Sequence, residues 1–320
     1  MYEKIINIFL DNTLSIEPRF KNLIIYDSST QNLLKYFIPV FYKKNIFTIC
    51  KKIDLKKNHG FEPSIEIAKL MKESNLVLCL TKYSMAHSKA RNNFSKIGGR
   101  FLSMPGYSKK ILSDKAILAN FKEHDKITKK ISKILTLGKK CKIFSEDGTN
   151  LECNLSGRLA NSCPGHVMEK GSLGSPPDVE ANISPIENQS NGFLTINGSI
   201  ANEEIGLLNK PVYLIIKNGK IAQIKSDSKK INNLLKKTFY KFGPKSKVLA
   251  EIGIGLNKKA KLTGHMLTDE GSYGCIHFGF GSNFSVGGKN KVDFHLDFIT
   301  KKHSLYIDEK LIIKKGKIVI

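Results

Sequence analysis

Half of the eight histidines, His265, His277, His295 and His303, fall after residue 264, interleaved with or close to Glu251, Asp269, Glu270 and Asp297. The sharpest pattern is Phe294-His295-Leu296-Asp297. In a strand, residues i and i+2 share a face, so an imidazole nitrogen and a carboxylate oxygen can reach one ion. The same spacing also fits two polar residues on the wet face of a strand. Neighbouring patterns add weight to the first reading. His277 sits in Cys275-Ile276-His277-Phe278-Gly279-Phe280-Gly281, where alternation sends His277, Gly279 and Gly281 to one face and leaves room beside the ring. Glu251 stands inside the apolar run 248–255, and burying it unpaired would be costly. One cation resolves these oddities together. Two His with one or two carboxylates suit zinc, cobalt, manganese or ferrous iron. Asp269 and Glu270 read either as ligands of a substrate amine or as caps of the preceding loop. His265 and His166 lie in Gly-containing segments without a ligand pattern.

Strands must position these residues, and the second half of the sequence is built for strands. Hairpins are expected at 142–145 with 151–155 about Asp147-Gly148, at 212–216 with 220–224 about Asn218-Gly219, and along 305–320. Residues 165–177, rich in Gly, Ser and Pro, read as a loop of the kind that lines sites. One further helix is expected over 229–241. The first half reads differently. Strands at 23–26, 46–50, 76–80 and 101–104 alternate with helical spacing at 30–42, 64–73, 85–97 and 116–137. That alternation is the pattern of an α/β layer. The expected fold is α/β: an N-terminal α/β domain with a mostly parallel sheet over residues 1–140, then a β-rich α+β metal-binding domain over 141–320.

Composition sets the outer bounds. A chain of 320 residues, 41% hydrophobic and 25% charged, can bury a sizeable core without a structural metal. The net charge of +24 comes from 52 basic residues, of which four are Arg. Lysines scattered among Ile and Asn make a solvated surface, and Arg is the residue suited to bidentate phosphate or base contacts, so no nucleic-acid partner is expected. The six cysteines form no C-x-x-C pair, which points to free thiols in a reducing cytoplasm. Asp11 interrupts the apolar N-terminal run, and no cleavage pattern follows, so no secretory signal is expected. No apolar stretch approaches the roughly 20 residues that span a bilayer.

Several motifs, in order, resemble a known superfamily. They are Ala250-Glu251-Ile252-Gly253-Ile254-Gly255-Leu256-Asn257, Leu262-Thr263-Gly264 through Asp269-Glu270, Ile276-His277-Phe278-Gly279-Phe280-Gly281, Gly287-Gly288-Lys289-Asn290 and Phe294-His295-Leu296-Asp297-Phe298-Ile299. Upstream, Ser84 through Arg91, Ser103-Met104-Pro105-Gly106 and Pro176 through Pro185 extend the likeness over most of the chain. Together they resemble the thermophilic metalloprotease-like aminopeptidases, whose superfamily includes the iron-dependent 2,5-dihydroxypyridine dioxygenases. The resemblance implies a metal site of Glu180, Glu251, His277, His295 and Asp297. It also implies Glu180 as bridging ligand or general base, His87 as a catalytic base in the dioxygenase manner, and a homodimer. One departure stands out: the aminopeptidases place a tyrosine seven residues after the first histidine, and here that position is Phe284.

The leading expectation is therefore an aminopeptidase-like metallohydrolase using zinc, cobalt or manganese on a small or short-peptide substrate. The alternative is a ring-cleaving dioxygenase holding one Fe(II) on His277, His295 and Asp297. A third is a binding protein without turnover.

Overall fold

Apolar runs without polar alternation must be covered on both faces, and they form the first sheet. The structure, a computed structural model, describes residues 1–15, 20–56 and 58–320. Its first sheet runs in the order Phe47–Lys52, Lys21–Tyr26, Leu76–Leu80, Arg100–Ser103, Leu173–Gly174, with every pairing parallel. Helices Leu34–Lys43, Ile65–Lys72 and Lys89–Lys96 alternate with these strands. Ser64 and Ser88 cap the last two by accepting the backbone N–H of Ile67 and Arg91. The Ser88 cap starts its helix at Lys89, later than the periodicity over 85–97 suggests. Leu23, Ile25, Met71, Val77, Phe94 and Phe101 form the core here. A helix that the sequence reading leaves unassigned, Tyr2–Thr13, buries Ile6, Phe9 and Leu10.

The chain forms two compact units, residues 1–123 with 163–177, and residues 124–162 with 178–320. The composition change near residue 140 marks the first hairpin, not this division. Helix Phe121–Leu137 groups mainly with the second unit, and residues 163–177 return to the first. The reason for the return is a strand: Leu173–Gly174 pairs with Phe101 and Leu102 inside the stretch expected to be loop. The helix expected over 116–137 is also divided. Asp114 caps a short 3-10 turn, Lys115–Leu118, and extended Ala119 separates it from Phe121–Leu137.

The second unit holds two sheets. One has eight strands, ordered Lys220–Ser226, Val212–Lys217, Ser190–Ile196, Asn150–Asn154, Lys140–Phe144, Ser304–Ile307, Lys310–Lys314, Lys317–Ile318. The three expected hairpins all lie in it. Asn218 and Gly219 take φ of 48° and 68°, as a two-residue turn between right-twisted strands requires. The other sheet has seven strands, ordered Gly206–Leu207, Ser199–Ile200, His295–Thr300, Ile276–Gly281, Leu249–Gly255, Glu180–Ile183, Asn161–Cys163. This mixed α/β architecture is the expected fold class. Among the described residues, no helix is long and apolar enough to cross a membrane.

Candidate metal centre

Four adjacent strands of the seven-stranded sheet carry the candidate ligands. Across them Asn182 pairs with Gly253 and Gly253 with His277, while Glu251 pairs with Gly279 and Gly279 with Asp297. Glu180 pairs with Gly255, and Gly281 with His295. Paired residues and residues two apart share a face, so all five ligands project to one side. Glycines on that face make the room. A Cβ on Gly253 would sit 2.0 Å from His277 Nε2, and one on Gly279 would sit 2.5 Å from His295 Nε2. The rings lie where side chains of the neighbouring strand would otherwise stand. A register shift between Leu249 and Glu251 helps aim the glutamate.

The ligand atoms fall into two groups that share one residue: Glu180, Glu251 and His277, and Glu251, His295 and Asp297. His277 Nε2 lies 2.9 Å from Glu180 Oε2 and 3.9 Å from Glu251 Oε1. His295 Nε2 lies 3.0 Å from Asp297 Oδ1 and 3.4 Å from Glu251 Oε2. Glu251 therefore turns one oxygen to each histidine, and it occupies the bridging place that the resemblance offers to Glu180. His277 and the three carboxylates are buried, whereas the His295 side chain is 32% exposed. His295 Nδ1 lies 2.9 Å from the Ser282 carbonyl. An N–H there donates to that oxygen, so Nε2 is the ring nitrogen that faces the cluster.

Burial opposes charge on both rings, yet the facing carboxylates outweigh it, and His277 and His295 are held well above the usual histidine range. Burial likewise works against Glu251, but hydrogen bonds from His277 and His295 prevail and hold it below the carboxylate range. Two more acids stand close by. Burial, then the Glu180 charge, pushes Asp178 up, and burial, then Asp297, pushes Glu270 up. Asp178 Oδ1 and Glu270 Oε1 are buried without a hydrogen-bond partner. A buried, carboxylate-rich set with orphaned oxygens fits divalent cations, which would offset the cost of desolvating those charges.

None of the other residues singled out from the sequence belongs to either ligand group. Asp269 is a cap: it accepts from Ser199 Oγ at 2.6 Å and from the Thr263 and Gly264 N–H groups at 2.6 and 3.0 Å. Its neighbour Glu270 is buried beside the centre instead. His303 bonds Thr149 Oγ1 at 2.7 Å, away from the ligands. His166 and His87 belong to the first unit, where His87 is exposed just ahead of the Ser88 cap. His265 precedes the short helix Met266–Glu270. Phe284 is 65% exposed in a 3-10 turn, with Lys291 Nζ 5.6 Å from its ring centre. The sequence reading did not single out Asp178, Asn182 or Ser282. Asn182 was detectable in principle, two residues from Glu180 in the same strand.

The family model for 2,5-dihydroxypyridine 5,6-dioxygenase matches residues 48–320. A 2,5-dihydroxypyridine 5,6-dioxygenase of Pseudomonas putida is 23% identical over 296 residues, which covers 88% of this chain and 79% of that protein. The solved structure of 2,5-dihydroxypyridine dioxygenase from Pseudomonas putida KT2440 superposes with a TM-score of 0.84 at 18% identity, covering 99% of this chain and 96% of that one. Wild-type AmpT from Thermus thermophilus superposes with a TM-score of 0.74 at 12% identity, covering 100% and 99%.

Proposed function

The chain belongs to the 2,5-dihydroxypyridine 5,6-dioxygenase family, and within it we propose a two-cation hydrolase that opens amide or peptide bonds of small substrates. That membership and the two ligand groups make it a metal-dependent enzyme. The observation that carries the finer reading is Glu251, whose Oε1 faces His277 and whose Oε2 faces His295. A single ion on a two-histidine triad needs both rings on one point. Here each ring sits in its own group with two carboxylates, Glu251 being common to both.

Two divalent ions, on Glu180–Glu251–His277 and on Glu251–His295–Asp297, would polarise a carbonyl and lower the pKa of a water. The chain's own groups do the rest. His295, at the exposed edge, is where a substrate meets the cluster. Asp178 and Glu270 lie buried beside it, and that burial raises their pKa values above the ordinary carboxylate range. Glu180 is the proposed internal base. His87 is proposed as a second proton carrier, to be tested by the pH profile of His87→Ala. A cytoplasmic homodimer that binds neither nucleic acid nor membrane completes the proposal.

The family match and Phe284, which offers no oxygen, favour a second reading: ring cleavage of a hydroxylated pyridine or similar aromatic at one ferrous ion on His277, His295 and Asp297. Metal analysis of protein purified without oxygen or chelators separates the two. Two zinc, cobalt or manganese ions per chain with turnover of aminoacyl substrates supports hydrolysis. One iron with oxygen uptake on dihydroxypyridines overturns it. His295→Ala and Asp297→Ala should each lower metal content with the fold intact, and normal content in either would sink the centre.

A further inference from the structure

The carboxylate of Glu180 is held before any cation arrives. Its Oε1 accepts from Asn182 Nδ2 at 2.5 Å, and Asn182 Oδ1 accepts from Asn161 Nδ2 at 2.8 Å. The direction of this relay follows from the groups themselves. An ionised carboxylate only accepts, so Asn182 must turn its NH2 to Glu180 and its oxygen to the next donor, which is the Asn161 amide. Glu180 and Asn182 are 6% and 4% exposed, so solvent does little to compete for these bonds. With Oε1 occupied, Oε2 is the oxygen left to face His277, 2.9 Å away. The other group of ligands is oriented by different means, through the Ser282 carbonyl and His295 Nδ1.

We infer that Asn182, backed by Asn161, is a positioning residue that fixes the rotamer of Glu180 and so sets the cation affinity of the Glu180–Glu251–His277 group selectively. A flexible glutamate loses rotamer freedom when it binds an ion, and a donor that orders it beforehand removes that cost from the binding step. Partners of this kind typically change metal affinity by about 10- to 100-fold. The inference rests on the two-cation reading, and the test separates the two.

The full-length protein is stripped with a chelator and titrated calorimetrically with Mn²⁺ alone. Asn182→Leu keeps the branching and approximate volume of the side chain but removes its donor. The expected result is one binding step weakened by about 10- to 100-fold, with the other changed by less than about threefold. Asn161→Ala, which unpins Asn182 without removing its NH2, should weaken the same step by a smaller factor. A purely structural role would lower thermal stability and leave the steps equally affected or unaffected, and either result overturns the relay. Wild-type protein that binds no Mn²⁺ sinks the centre itself, whereas wild-type affinities in Asn182→Leu sink the relay alone. A wild type with one step sinks the two-cation reading, and that step must still weaken in Asn182→Leu for the relay to stand. Should Asn182→Leu fail to fold, an unchanged titration of Asn161→Ala overturns the relay.

Discussion

Leu76–Leu80 in the first unit and Leu249–Gly255 in the second are both buried at every position, yet they are built from different materials. The first is Leu-Val-Leu-Cys-Leu, and its neighbours close-pack against branched side chains. The second is Leu-Ala-Glu-Ile-Gly-Ile-Gly. Its Ile252 and Ile254 serve the core, while Glu251, Gly253 and Gly255 face the ligands. Burial therefore covers two roles. In the first strand the buried volume is hydrocarbon, and losing it costs stability. In the second the volume beside the backbone is left vacant by glycine and taken up by an imidazole ring from the next strand.

The largest effect expected from this contrast is at the apolar strand. Leu78→Ala should cost about 2–5 kcal/mol in urea unfolding, while metal bound per folded chain stays at the wild-type level. Loss of metal in the folded variant would erase the distinction between the strands. Gly253→Ala should act in reverse. Its Cβ would lie 2.0 Å from His277 Nε2, so the ring must move, and metal affinity should fall by about 10- to 100-fold with the circular dichroism spectrum preserved. Full retention of metal after dialysis would mean that the ring relocates freely and that the glycine has another purpose.

A smaller effect separates the buried histidines. His277 faces carboxylates, but His303 faces neutral partners: the Thr149 hydroxyl at 2.7 Å and the Lys301 carbonyl at 2.9 Å. Burial lowers the pKa of His303 below its ordinary value. Its unfolded form takes up a proton at about pH 6.5, so the neutral ring's contribution is complete above that pH and is lost as pH falls toward the folded value. The stability difference between wild type and His303→Asn should therefore shrink between pH 7.5 and 5.5 in denaturation midpoints. A constant or growing difference would contradict the assignment. The smallest effect is expected at Phe284→Tyr. The side chain is exposed, so stability should shift by no more than about 0.5 kcal/mol, with metal stoichiometry unchanged by elemental analysis.

Much of the candidate centre was legible because strands alternate. His277, Gly279 and Gly281 fall on one face by spacing alone, His295 and Asp297 follow the same rule, and Glu251 is conspicuous in an apolar run. What spacing does not reveal is pairing across distant strands. The role of Gly253 depends on its register with His277, and the Asn161–Asn182 bond joins residues whose strands neighbour only in the folded sheet. In the first unit the alternation of strands and helices was equally readable. The break at Ala119 escaped because apolar spacing continues through it, and Leu173–Gly174 escaped because two residues among Gly, Ser and Pro carry no strand signal.

That short strand also governs how the protein can be divided. A fragment ending at residue 140 would lack Leu173–Gly174 and leave Arg100–Ser103, buried along its length here, as an open edge. Unpaired parallel edges recruit other chains. Such a fragment should aggregate on expression, whereas residues 1–123 joined through a short linker to 163–177 keep every strand of their sheet and are the smallest piece of the first unit with reason to stay monomeric.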